Sequence, residues 1–440
     1  MGELVSHACT IWDAAVDAVR AEPLTRRSLV NAADPTIAAL RAAPRLLVVG
    51  AGKAGTAMAL GLESAFADRL DRIEGLVNVP AGTERLLSRI RLHAARPAGV
   101  NEPTPEGVAG AEEMLRLLRS AGPDDAAICL LSGGGSALLP APVDGVSLAD
   151  KLALTKLLHR SGATIHEMNL VRKHLSRVKG GRLAEAFTGR LLLGIIISDV
   201  VGDPLDVIAS GPTSADPTTF AEALAVLERY GLRERSPASV IIHLERGANG
   251  DIPDTPKRAD PRVVNRIVGS NAVALAAAET KAQSLGYRVL NLGSFIEGET
   301  REVATVAAGI VRSVRAMSQP VAPPACILIG GETTVTLGDH PGRGGRNQEF
   351  VLALLAKLGR EGMHGVAALS GGTDGEDGPT DAAGAVADAS IFDRIASRGL
   401  SLADHLQRHD AYPLFDAVDG LVRTGLTQTN VMDVRVILVS

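Results

Sequence analysis

Aromatic residues are scarce in this chain of 440 residues: one Trp, three Tyr and seven Phe. The core must then be built from Ala, Val, Leu and Ile, which suits closely packed α/β layers. Few rings are left to stack on bases, no basic run occurs and the formal net charge is −5, so a nucleic-acid partner is not expected. Cysteine is equally sparse. Cys9, Cys129 and Cys326 are far apart and odd in number, as expected of free thiols in a reducing compartment rather than a disulfide frame or a metal site. No apolar run approaches 18 residues, and the acidic N-terminal stretch has no apolar signal core, so no membrane span and a cytoplasmic location are expected. The ten histidines form no HExxH pattern, which argues against zinc. No G-x-S-x-G elbow is present, and the spacing around Gly50 and Gly52 fails the P-loop pattern, which disfavours an α/β-hydrolase and excludes a Walker-type NTPase.

Glycine, by contrast, is abundant, and the 47 glycines gather at the ends of apolar runs. Leu46–Gly55 reads LLVVGAGKAG: a buried strand, a tight turn and a helix opening near Ala54. Such a turn brings backbone N–H groups and a positive helix end to a phosphate. Lys53 adds a mobile ammonium, which phosphoryl transfer needs and a dinucleotide loop does not. The stretch also satisfies GxGxxG through Gly50, Gly52 and Gly55. The ribose-binding acid expected about 20 residues on is badly placed, because Asp68 and Asp71 precede the next apolar run.

Strands are expected near 46–50, 75–79, 90–94, 126–131 and 191–197, with helices at 105–121, 148–160 and 181–187 and two helices over 4–43. This alternation predicts a doubly wound, mostly parallel sheet. Residues 217–245 read as helical and peripheral. Gly247–Pro261, rich in Gly, Pro and Asp, is the expected linker between a first domain over 1–250 and a second α/β domain over 262–440. The second has strands near 263–268, 286–290, 324–329, 365–370 and 433–438, and helices at 271–284, 300–316 and 346–358; the last strand could instead return to the first sheet.

Further glycine turns follow other strands. Ser132, Gly133, Gly134, Gly135 and Ser136 form a second strand-to-glycine turn, suited to contacting an anion or otherwise a structural turn, though three adjacent glycines cost conformational entropy that a plain turn would rarely bear. Arg172, Lys173, His174, Arg177 and Lys179 lie before Gly180-Gly181, either as a solvated basic helix end or as a cationic wall facing phosphates. Asp199, Asp203 and Asp206, with Ser210, Gly211 and Thr213, follow the strand at 191–197 and could hold Mg²⁺ or position a hydroxyl; an Asp-Pro turn with a helix cap explains them as well. Glu332 follows another strand, and Arg343, Arg346 and Asn347 stand among glycines, where guanidinium forks suit carboxylate or phosphate capture. Gly371, Gly372, Thr373 and Asp374 open an acidic glycine loop without EF-hand spacing, a plain solvated loop or a place for Mg²⁺ and nucleotide.

Together GAGKAG (50–55), LLSGGGSALL (130–139), RKHLSRVKGGRLA (172–184), ISDVVGDPLDVIASGPT (197–213), GGETTVTL (330–337), GRGGRNQE (342–349), SGGTDGEDGPTDAAGA (370–385) and TNVMDV (429–434) resemble, in order and over almost the whole chain, the class II glycerate kinases with a C-terminal MOFRL domain. The resemblance implies a Rossmann-like N-terminal domain, a MOFRL domain and an active cleft between them. It also implies ATP-dependent conversion of D-glycerate to 2-phosphoglycerate with a divalent cation such as Mg²⁺. It makes Lys53 catalytic, together with Arg343 or Arg346, of which Arg346 is preferred because it abuts Asn347. On this reading Asp199 orients the acceptor hydroxyl or holds Mg²⁺, Asp374 is a further metal ligand, and the glycine turns at 133–135 and 371–372 receive the nucleotide. Two strings depart from the family: Ala95-Arg96-Pro97 through Asn101-Glu102-Pro103 replaces a GHPxPD-like string, and Leu426-Thr427-Gln428-Thr429-Asn430 replaces TGTN. An NAD(P)-dependent hydroxypyruvate reductase and a non-enzymatic metabolite-binding regulator are the competing readings. No sequence feature fixes an oligomeric state.

Overall fold

A computed structural model describes residues 2–97, 100, 102–338 and 341–440. Asn101, in the first departing string, and Asp339 and His340, before the arginine loop, lie outside the described residues. The chain divides into two compact units: Ala21–Val268, and Gly269–Ser440 together with Met1–Arg20.

The first unit is built on six strands, β1 (Leu46–Ala51), β2 (Ile73–Pro80), β3 (Ile90–Arg96), β4 (Ala126–Leu131), β5 (Leu191–Ile197) and β6 (Val263–Gly269), in the order β3-β2-β1-β4-β5-β6. β1 runs parallel to both β2 and β4, and the outer pairs β2–β3 and β4–β5 are parallel too. Strands with both faces covered read as continuous apolar runs, and β1 and β4 are buried along their whole length. The order reverses direction between β1 and β4. That switch point is where an open α/β sheet leaves a crevice beyond its carboxyl ends. The helices start where their caps dictate. Asp34 accepts from Thr36 N (2.9 Å) ahead of Pro35, and Ser147 and Asp150 form a reciprocal capping box for Leu148–Arg160.

The second sheet follows β12 (Leu421–Val422), β11 (Gly384–Asp388), β10 (Val366–Gly372), β13 (Asp433–Val439), β9 (Ala325–Thr334) and β7 (Arg288–Asn291), with β8 (Glu297–Glu299) pairing β9. β7 and β8 run parallel to β9, whereas β13 is antiparallel to both β9 and β10, so the sheet is mixed. The last strand therefore sits at the centre of the second sheet and does not return to the first.

Three sequence expectations need correction. The strand expected to open the second domain, β6, is instead the edge of the first sheet, where Leu192 N donates to Arg262 O (2.9 Å). Gly194 leaves room there for the Asn265 carboxamide, which in turn accepts from Thr213 Oγ1 at 2.7 Å. The region over 4–43 holds three helices, not two. The first, Glu3–Ala18, packs with the second sheet, because the single Trp, Trp12, is buried and donates from Nε1 to Gly371 O at 3.3 Å. The helix expected over 181–187 shrinks to Arg182–Glu185, since Gly180 and Gly181 have left-handed φ of 59° and 84°. Gly371 carries a packing argument of its own. A Cβ there would stand 2.9 Å from the Trp12 ring, so Gly371→Ala should destabilise the protein by about 1–3 kcal/mol through overpacking, read as a lower denaturant midpoint at unchanged slope.

Candidate active site

In the first unit the candidate residues gather at the carboxyl ends of β1, β4 and β5. The turn after β1 and the turn after β4 are bonded together. Lys53 N donates to Gly133 O (2.8 Å) and Ala54 N to Ser132 Oγ (3.1 Å). The close approach explains the glycines: a Cβ on Gly52 would overlap the Ser132 hydroxyl, and one on Gly50 would overlap Leu130 O. Ser136 Oγ meets Ser210 Oγ at 2.8 Å, so the β4 turn is joined in turn to the segment after β5. That segment is strained. Ala209 and Ser210 both adopt left-handed φ, 51° and 62°, which non-glycine residues hold only under compulsion, and Gly211 follows at 64°.

A buried cationic cluster backs this surface. Lys179 Nζ is buried and donates to Ser136 O and Ala209 O, each at 3.2 Å. Burial, then the neighbouring Arg172 and Lys151 charges, push its pKa well below the usual lysine value. Arg172 donates to Asn169 Oδ1 (3.3 Å), the same oxygen that accepts from Ser210 Oγ (3.2 Å), and burial lowers its pKa too. Lys151, fully buried on Leu175 O, is brought down to about 7 by desolvation and then by Arg172 and Arg182. Among the described residues no carboxylate pairs with Arg172 or Lys179, and cations desolvated in this way favour an anion. Lys173, by contrast, pairs with Asp206 (3.2 Å) and Asp216 (3.4 Å). Asp199 stands directly beyond the end of β5.

In the second unit the equivalent assembly is mostly anionic. Arg346 opens the helix Arg346–Gly362 and forks onto buried Asp433 through Nε (2.8 Å) and Nη2 (3.0 Å), while Nη1 reaches Glu332 at 2.7 Å. Burial alone would lower the Arg346 pKa; Asp433 and then Glu332 more than reverse this and hold it above the ordinary value. Asn347 donates to Asp433 (2.9 Å) and accepts from Ser370 Oγ (2.6 Å). Arg343 does not join this cluster, because its guanidinium stacks on the Tyr412 ring at 4.0 Å. The geometry thus separates two arginines that the sequence leaves together. Gly371 and Thr373 are spent internally, Gly371 under Trp12 and Thr373 in bonds to Met432 O and Val431 N. Gly372 N is bonded to Ala383 O, and Asp374 Oδ1 accepts from Glu376 N.

Asp377 is the most perturbed carboxyl here. Burial raises its pKa to about 6, against the bonds from Asn347 N (3.0 Å) and Gln348 N (2.9 Å) that favour the anion. Its ¹³C carboxyl resonance should therefore titrate near pH 6 rather than near the ordinary value of about 3.9. The sign follows from the raised folded-state pKa: this group's stabilising contribution is complete below about pH 4 and is lost as pH rises through 6.

Asn169, Asp433 and Arg96 were not singled out from the sequence. Asp433 lies inside a string that carries the family resemblance, TNVMDV, and Asn169 stands three residues before another, but only the fold shows that these residues tie their neighbours together. Among the described residues no group of three His, Cys, Asp or Glu is placed to hold a metal ion, and no helix is long and apolar enough to cross a membrane.

An α/β protein with a parallel six-strand sheet, a cationic switch-point surface and a second mixed sheet is thus defined, and comparison with known proteins gives its family. Residues 7–245 match a family model described as a domain of unknown function, DUF4147, and residues 325–433 match the MOFRL family. The chain is 38% identical over 397 residues to a glycerate 2-kinase of Pyrococcus horikoshii, covering 90% of this chain and 88% of that one. It is 37% identical to a glycerate kinase of Rattus norvegicus, covering 99% and 93%. It is also 43% identical to a protein of Agrobacterium vitis named putative hydroxypyruvate reductase, covering 96% and 95%. The crystal structure of a glycerate kinase from Thermotoga maritima superposes with a TM-score of 0.88 at 33% identity, over 99% of both chains. The chain belongs to the MOFRL-domain glycerate kinase family and is a phosphotransferase of that family.

Proposed function

We propose that the protein phosphorylates D-glycerate to 2-phosphoglycerate with ATP and Mg²⁺. The observation that carries this reading is Lys53, placed on a turn bonded to the Gly133 turn at the switch point of the first sheet. Arg172 behind that surface supplies positive charge, and a bound phosphate would favour the protonated form of desolvated Lys179. Phosphoryl transfer asks little covalent chemistry of a protein beyond positioning and charge stabilisation. Lys53 meets the charge developing on the transferred group. The backbone of Gly50, Gly52 and Gly133–Gly135, with Ser132, Ser136, Ser210 and Gly211, cradles the anion. Arg346 keeps donor hydrogens beyond those used on Asp433 and Glu332 and takes the acceptor carboxylate or an equatorial oxygen. Asp199 orients the acceptor hydroxyl.

A hard cation of the Mg²⁺ kind is commonly held through one or two carboxylates and substrate phosphates rather than by a protein cage. Asp199 and Asp374 are the carboxylates that would hold it, and the cation would neutralise phosphate charge. The reductase reading named by the Agrobacterium relative is weaker on geometry. Asp68 and Asp71 lie in Ala67–Arg72, at the opposite end of β2 from the glycine turn, and Asp68 is taken by Arg41. Glu84, the next acid past β2, is bonded to Gly82 N.

ADP release should require D-glycerate, ATP and Mg²⁺ together, and the product should be converted by a coupling enzyme that accepts 2-phosphoglycerate without a mutase. NADH oxidation with hydroxypyruvate and no ADP would replace the kinase by the reductase. A binding-only regulator would show neither reaction.

A further inference from the structure

Arg96 closes β3 and is only 5% exposed, yet its Nε has no hydrogen-bond partner. Among the described residues no carboxylate pairs with it, and burial lowers its pKa with nothing to offset the effect. Arg346 and fully buried Arg435 both have Asp433, whereas Arg96 shares with Arg172 the lack of a carboxylate among the described residues. A buried charge without a counter-charge is costly, and a fold retains one where a ligand completes it. Its position says which ligand. Arg96 Nη2 lies 3.2 Å from the point a Cβ on Gly134 would occupy, and Lys53 Cγ lies 3.4 Å from the same point. The guanidinium and the lysine stem therefore pack over one residue of the β4 turn.

We propose that Arg96 binds an oxyanion of a reactant at the Gly134 turn, beside Lys53: a nucleotide phosphate, or the phosphate or carboxylate of the three-carbon acid. The inference rests on the reading that the turns after β1 and β4 hold the reactant anions. The rigid fork suits an oxyanion better than a second lysine would, and a group delivered from β3 is set by sheet geometry rather than by a loop.

The test uses Arg96→Met and Arg96→Lys in the full chain, with thermal unfolding alone and with ADP, 2-phosphoglycerate or inorganic phosphate, and then steady-state kinetics. Without ligand, Arg96→Met should melt no lower than the parent, because it removes an unpaired buried charge. Its stabilisation by phosphate should be lost, and the KM of one substrate should rise at least about 10-fold, the loss of one charge-assisted bond. Loss of the ADP shift assigns the nucleotide; loss of the 2-phosphoglycerate shift assigns the acid. Arg96→Lys should keep part of the shift. Unchanged ligand shifts and KM values in Arg96→Met overturn the proposal, as does a ligand-free Tm that collapses in both variants, which makes Arg96 a folding residue. A parent that binds these anions but does not phosphorylate glycerate refutes the kinase reading alone, because the binding measurements still decide on Arg96.

Discussion

Lys53→Ala should lower kcat by roughly 10²–10³-fold, the loss seen when one preorganised donor to developing charge is removed. The KM values should move much less, because an interaction made mainly in the transition state is spent on the barrier and not on binding. The fold should be almost untouched. Lys53 is exposed, and the bond that holds its turn to the neighbouring one runs from the backbone N–H to Gly133 O, which alanine keeps. An unchanged Tm with a collapsed kcat would isolate the ammonium as the active group. A kcat within a few-fold of the parent would remove Lys53 from the chemistry. Lys53→Arg separates charge from shape: a larger planar cation in a turn packed against Gly134 should recover little of the rate if position matters as much as charge.

Much of the first unit was legible before any coordinates. β1, β4 and β5 are uninterrupted apolar runs that end in glycine or serine, so both their existence and their functional ends follow from burial on two faces. β6 was legible as a strand but not as to sheet. Its partner is chosen by the Asn265 carboxamide fitting over Gly194, a contact between residues 71 positions apart that no local pattern encodes. Glu3–Ala18 has the same history, since Trp12 finds its place only against the bare backbone of Gly371. The short strands β11 and β12 and the helices between them were missed because each is brief and is held mainly by tertiary packing.

The site shows the same division. Glycine turns announced themselves, since three consecutive glycines at 133–135 have little reason to exist in a plain turn. What the sequence could not weigh was which charges are already spent. Asp206 is spent on Lys173 and Arg343 on Tyr412, whereas Arg172 and Lys179 face no carboxylate among the described residues. Buried charge pairing is a property of three-dimensional neighbours, so residue type and spacing alone do not give it.

Arg346→Lys should depress kcat/KM for glycerate by about 10²-fold or more, with a smaller loss in nucleotide affinity. A short hydroxy acid has one carboxylate, two hydroxyls and almost no apolar surface, so its recognition depends on charge-assisted hydrogen bonds. Arg346 is well prepared to supply them. Its fork is oriented by both oxygens of buried Asp433, and Asp433 is itself held by Asn347 and Arg435. Lysine keeps the charge but has a single nitrogen, which cannot span Asp433 and Glu332 while also presenting a donor pair to a ligand. Stability should also fall, by about 1–2 kcal/mol, less than the loss of a fully buried pair because Arg346 is partly exposed and Asp433 keeps its other partners. The two effects can be told apart with Asn347→Ala. That variant removes a bond to Asp433 without removing the guanidinium, so it should cost stability by a similar amount while leaving much of the glycerate discrimination in place. If Arg346→Lys and Asn347→Ala lose stability and kcat/KM in the same proportion, Arg346 acts only through the fold. If Arg346→Lys alone loses glycerate selectivity, the guanidinium touches the substrate.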